Sequence, residues 1–64
     1  MLNTKIIMDY LKSRKMSQQE LARMCGFSVH TLHRLIVGTE RLYMQKLIRL
    51  ADVLGVSIDE LLNA

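Results

Sequence analysis

No proline and no tryptophan occur in this chain of 64 residues, and only Tyr10, Phe27 and Tyr43 are aromatic. The single cysteine, Cys25, excludes an intramolecular disulfide. A reduced, cytoplasmic setting is therefore expected. Cys25, His30 and His33 do not supply four ligands at finger-like spacing, so no metal is expected. No apolar stretch approaches the roughly 18 residues that span a bilayer. The N-terminus also lacks the basic flank, long apolar run and small-residue cleavage site of a signal peptide. No low-complexity tract, internal repeat or linker-like segment interrupts the sequence, which reads as one domain over residues 1–64. Paired carboxylates, a nucleophile–base pair and a phosphate-cradling glycine loop are all missing. An enzyme is thus the least expected class, and no cofactor or small-molecule ligand is implied.

Half of the residues are apolar, mostly Leu, Ile and Met. A domain this small buries only about 60% of its unfolded surface, so packing alone must hold it together. Charge is unevenly placed. Residues 1–50 carry all nine Lys and Arg against Asp9, Glu20 and Glu40, a balance of +6, while residues 51–64 carry Asp52, Asp59 and Glu60 and no base. A basic body with an acidic end suits a polyanionic partner on one face. A solvated surface of mixed sign is the plainer account of the same distribution.

The hydrophobic periodicity predicts five short helices and no strand. Ile6, Ile7, Tyr10 and Leu11 form the stripe of a first helix, capped by Asn3 or Thr4 and ending near Arg14 or Lys15. Met16 then precedes Ser17 as a hydrophobic staple, and Ser17 with Glu20 forms a capping box. Leu21, Ala22 and Cys25 face inward on the second helix, and Ala22 is small enough to let two steeply crossed helices approach. Gly26 ends that helix, Ser28 caps the third, and Leu32, Leu35 and Ile36 are its inner stripe. Val29, His30, His33, Arg34 and Val37 are left on or near the outer face. Met44, Leu47, Ile48, Ala51 and Leu54 predict a fourth helix stopped by Gly55, and Ser57 with Glu60 caps a fifth containing Ile58, Leu61 and Leu62. Gly26, Gly38 and Gly55 each fall just past a predicted helix end.

These features together resemble the phage repressor/Cro family of helix-turn-helix domains, also called XRE-like. The likeness covers nearly the whole chain. It rests on the Ser17-Gln18-Gln19-Glu20-Leu21-Ala22 opening, Gly26, the Leu32/Leu35 pair, Gly38 and the closing run from Leu50 to Leu62. The resemblance implies a compact, all-α, lambda-repressor-like bundle of five helices whose second and third form the helix-turn-helix. It implies sequence-specific binding of double-stranded DNA by a small regulator, with residues of about 28–37 in the major groove. Gln18 matches a glutamine that grips a phosphate or an outer base, and Val29, His30 and Arg34 match base-facing positions, with His33 beside them. Thr39 and Arg41 match a phosphate-touching loop, and Tyr43 and Met44 match a helix start whose amides face phosphate. The resulting phosphate set is Lys12, Arg14, Lys15, Gln19, Ser28, Thr39, Arg41, Tyr43 and Lys46. Binding as a homodimer to a palindromic operator is implied, with Leu54, Val56, Ile58 and Leu62 as the expected contact.

Three departures from the family pattern stand out. Leu11 and Ile36 occupy positions that often hold an Arg–Glu pair, and an apolar contact between them is expected in its place. Leu42-Tyr43 replaces a Pro followed by Ser or Thr, so the fourth helix lacks an evident N-cap. Val29 can offer a base only an apolar contact, such as to a thymine methyl. The competing function is a protein-interaction module of the same fold, antitoxin-like or a regulatory partner, which an exposed apolar patch outside the last helices would favour. The chain is expected to be either a complete Cro-sized regulator or the N-terminal domain of a longer repressor.

Overall fold

Serine hydroxyls start three of the helices. In the computed structural model, which describes residues 2–62, α1 spans Thr4–Arg14, α2 Gln18–Cys25, α3 Val29–Val37, α4 Met44–Leu54 and α5 Ile58–Leu62. No strand occurs among the described residues. Ser17 Oγ accepts the Glu20 N–H at 3.2 Å, Ser28 Oγ the Thr31 N–H at 3.1 Å, and Ser57 Oγ the Glu60 N–H at 3.1 Å. Each bond satisfies one amide that the first helical turn leaves without a partner. At α5 the box is reciprocal, because Glu60 Oε1 accepts from the Ser57 hydroxyl at 3.2 Å and its N–H at 3.4 Å. At α2 the Glu20 carboxylate instead lies 3.7 Å from Arg23 Nη1. Tyr43 holds the N-cap position of α4 without a side-chain cap bond, as its sequence leads one to expect.

α1 through α4 end on a left-handed residue. Gly26 has φ +79°, and the Phe27 N–H beyond it donates to the Ala22 carbonyl at 2.9 Å. α1 ends in the same geometry without a glycine: Lys15 has φ 52°, and the Met16 N–H reaches the Leu11 carbonyl at 2.9 Å. Lysine tolerates this conformation at a cost because its Cβ crowds the backbone.

Every helix supplies at least one fully buried side chain: Ile7, Leu21, Leu32 with Leu35, Leu50 and Leu61. Ala22 is buried on α2, which packs on both α3 and α4, and α4 in turn packs on α5. Leu2 joins this core, and the Asn3 N–H donates to the Leu61 carbonyl at 2.7 Å, tying the start of the chain to α5. Met16 packs against the core in the staple position.

The inner face of α4 follows the predicted stripe at Leu47, Ala51 and Leu54 and departs from it at Met44 and Ile48. Met44 and Ile48 are 58% and 47% exposed, and the buried residues are Leu47, Leu50, Ala51 and Leu54. Helical spacing permits two overlapping apolar stripes here. Packing against α2 on one side and α5 on the other selects the second. Leu11 is buried, and Ile36 packs on the core while lining a groove with residues 2–5.

Candidate nucleic-acid interface

Two buried leucines set which way α3 faces. Leu32 and Leu35 are inaccessible, so the opposite face must be solvated. His30, His33, Arg34 and Val37 are exposed at positions i, i+3, i+4 and i+7, a stripe down one side of the helix. The Ser28 cap and the left-handed Gly38 bound this stripe at its two ends. It offers two imidazoles and a guanidinium, groups able to donate or accept hydrogen bonds at base edges. Val29 departs from the expected outer position. It is half-buried and packed on the core, so it has less surface to offer a thymine methyl.

Around this helix the cations fall into distinct environments. Lys12, Arg14 and Lys15 are exposed at the end of α1. Arg14 and Lys15 line a shallow concavity with Met16, Ser17 and Glu20, where α2 begins. Amides at a helix start favour an anion. The Arg14 guanidinium lies 4.5 Å from the centre of the Tyr10 ring, which restrains it. Gln18 is half-buried and Gln19 exposed in the first turn of α2. The Ser28 hydroxyl is engaged in its own cap, donating to Thr31 Oγ1 at 3.0 Å. Thr39, Arg41 and Tyr43 are exposed along the connection between α3 and α4.

Lys46 is not a solitary cation. Its Nζ is 2.7 Å from Glu40 Oε2 and 5.3 Å from the centre of the Tyr43 ring. Arg34 Nε donates to the other carboxylate oxygen of Glu40 at 3.3 Å. The Lys46 hydrogen bond, joined by the charges of Lys46 and Arg34 and opposed by partial desolvation, holds the Glu40 carboxyl below the ordinary carboxylate range. Sequence reasoning counted Glu40 only as one acid in a basic body. It lies six positions from each cation, a spacing that no helical period pairs, so the sequence carried no signal for this cluster. Arg49 was missed in the same way. It sits beside the helix-turn-helix glycine and shares a concavity with Gly26, Phe27, Gln45 and Lys46.

The residues expected at a dimer contact divide. Leu54 belongs to the core, which leaves it little surface for a second copy, whereas Val56, Ile58 and Leu62 are partly exposed. Cys25 is buried, and burial pushes its thiol up to about 11, so it is a packing residue rather than a nucleophile. No polar or charged side chain is buried among the described residues, so their polar chemistry lies at the surface. No described helix is long and apolar enough to cross a membrane.

Comparison with family profiles gives a match to the Cro/C1-type HTH DNA-binding domain over residues 7–64. The matched span includes both halves of the helix-turn-helix, the Arg34–Glu40–Lys46 cluster and all of α4 and α5. Comparison with curated proteins gives no match.

Proposed function

The chain belongs to the Cro/C1-type HTH DNA-binding domains, and from that premise we propose that it is a sequence-specific transcriptional regulator, repressor- or Cro-like, that lays α3 in the major groove. The observation that carries this reading is the exposed stripe His30, His33 and Arg34 on a helix locked by Leu32 and Leu35. Arg34 reads a guanine through O6 and N7, and His30 and Gln18 add further base contacts. Lys12, Arg14, Lys15, Gln19, Ser28, Thr39, Arg41 and Tyr43 set register on phosphates, a sequence-blind and salt-dependent layer. One α3 covers few base pairs. Two copies related by a two-fold axis, meeting through Val56, Ile58 and Leu62, read half-sites ~34 Å apart. The chain acts as a single non-enzymatic domain inside the cell.

Selection of bound duplexes from a random pool tests this reading. Enrichment of a two-fold motif with half-sites one helical turn apart is the expected outcome. Recovery of the pool without enrichment would overturn it. Arg34→Ala should cost about 1–3 kcal/mol on the enriched site and relax discrimination at one base pair per half-site. A uniform loss on all duplexes would place Arg34 on the backbone instead.

A second reading has its own support. Leu42, Tyr43, Met44 and Ile48 are 39–58% exposed, just before and within the first half of α4. Apolar side chains gathered outside a core mark contact with another protein chain. Binding that is weak, salt-insensitive and indifferent to sequence would favour a partner-binding module.

A further inference from the structure

We propose that Glu40 is the residue that sets the balance between specific and non-specific binding, by aligning Arg34 for a base and withholding Lys46 from phosphate. The inference rests on the DNA-reading role of α3 given above. Its geometry is a carboxylate with one oxygen on each cation, Arg34 Nε at 3.3 Å and Lys46 Nζ at 2.7 Å. The three residues come from α3, the following connection and the first turn of α4. The Glu40 side chain is only 18% exposed and that of Lys46 27%, against 49% for Arg34. The backbone supports the arrangement. The Arg34 carbonyl accepts from the N–H groups of Gly38, Thr39 and Glu40 at 3.0, 2.9 and 3.3 Å, folding the Glu40 segment back on the helix end that carries Arg34.

A guanidinium has five N–H donors. The bond at Nε takes one and leaves both terminal nitrogens for the O6/N7 pair of a guanine. Because Glu40 already orders that side chain, less rotamer freedom is lost when the base contact forms. Lys46, between the carboxylate and the Tyr43 ring, is held in an ion pair. A carboxylate so close to the reading helix also repels phosphate. The last two effects lower affinity for any duplex alike, and the alignment of Arg34 is what favours the correct site over the rest.

The test is Glu40→Gln, which keeps the shape and removes the charge. Binding is measured across a salt series on two probes, the duplex enriched in the selection and a random duplex of equal length. Glu40→Gln should bind the random duplex more tightly, with a salt slope steeper by about 0.9, the increment for one added phosphate contact. Discrimination between the duplexes should narrow by about two- to tenfold, the equivalent of ordering one long side chain. In an Arg34→Ala background the same substitution should leave discrimination unchanged. Lys46→Gln should flatten the wild-type slope by less than about half an ion, since Lys46 is already paired. Thermal melting of each variant separates these effects from a folding defect. Equal weakening on both duplexes, or a loss of a full ion with Lys46→Gln, would overturn the role of Glu40 while leaving specific binding intact. Failure of the wild-type chain to distinguish the probes would overturn the DNA-reading role itself, and this proposal with it.

Discussion

Gly26 and Lys15 share one backbone conformation and differ in whether the side chain suits it, so opposite substitutions there should move stability in opposite directions. Gly26 has φ +79° at the turn between α2 and α3. Giving it a Cβ costs about 1–2 kcal/mol in the left-handed region. The stiffer unfolded chain offsets about 0.4–1 kcal/mol of that. A Cβ at Gly26 would also lie 2.7 Å from Arg49 Nη1, too close to stand. That atom ends a flexible side chain, so moving it adds about 0.5 kcal/mol. Gly38 has φ +86° with nothing within 4 Å, and so provides the strain without the clash. Gly26→Ala should therefore destabilise by about 1–1.5 kcal/mol and Gly38→Ala by slightly less, a melting shift of about 4–8 °C per kcal/mol in a domain of this size. Lys15→Gly should stabilise by about 0.5–1 kcal/mol, because it relieves the same strain. Thermal melts followed by circular dichroism, with urea titrations for the free energies, read all three. Gly26→Ala at or above wild-type stability would refute the left-handed turn. A cost at Gly26 far above that at Gly38, persisting with Arg49→Ala, would show that the crossing of α2 and α3 is obstructed by something other than Arg49.

The core assignment on α4 gives a paired test. Leu50→Ala should cost about 2–5 kcal/mol, enough to unfold much of so small a domain, while Met44→Ala should stay within about 0.5 kcal/mol of wild type; comparable losses would contradict the inward face described. Cys25 makes a pH prediction. Its folded thiol titrates near 11 against an ordinary 9.0. Above pH 9.0 the unfolded thiol ionises first, the folded state binds more protons, and stability falls as pH rises to about 11, by about 2–3 kcal/mol in total. Subtracting the urea curves of Cys25→Ala from those of wild type isolates this loss, and a flat difference would refute it. For Leu11 and Ile36, contact across the core should give a coupling of about 0.5 kcal/mol or more in a double-alanine cycle, and additive losses would show that the two side chains do not touch.

The helix ends were the most legible part of this sequence. Ser17, Ser28 and Ser57, with glycines at 26, 38 and 55, mark starts and stops through local hydrogen bonds and φ preferences that need no tertiary information. The inner face of α3 was legible too, because its apolar residues leave one face that can be buried. α4 was legible only in part: Leu47, Ala51 and Leu54 are buried as expected, whereas Met44 and Ile48 continue a stripe as regular as the one that packs. Only the neighbouring helices decide between them. The end of α1 was placed, but its left-handed Lys15 was invisible, because no residue type signalled it. Glu40 was hidden for another reason: its ties to Arg34 and Lys46 depend on how the connection after α3 folds back, which no periodicity encodes.

Guanine N7 methylation interference on the enriched duplex tests most directly whether the His30, His33 and Arg34 face of α3 enters the major groove, where that atom lies. Methylation should block binding at guanines within each half-site, and Arg34→Ala should abolish the block at one of them while leaving the others. Interference confined to minor-groove adenine N3, or a pattern unchanged by Arg34→Ala, would contradict it.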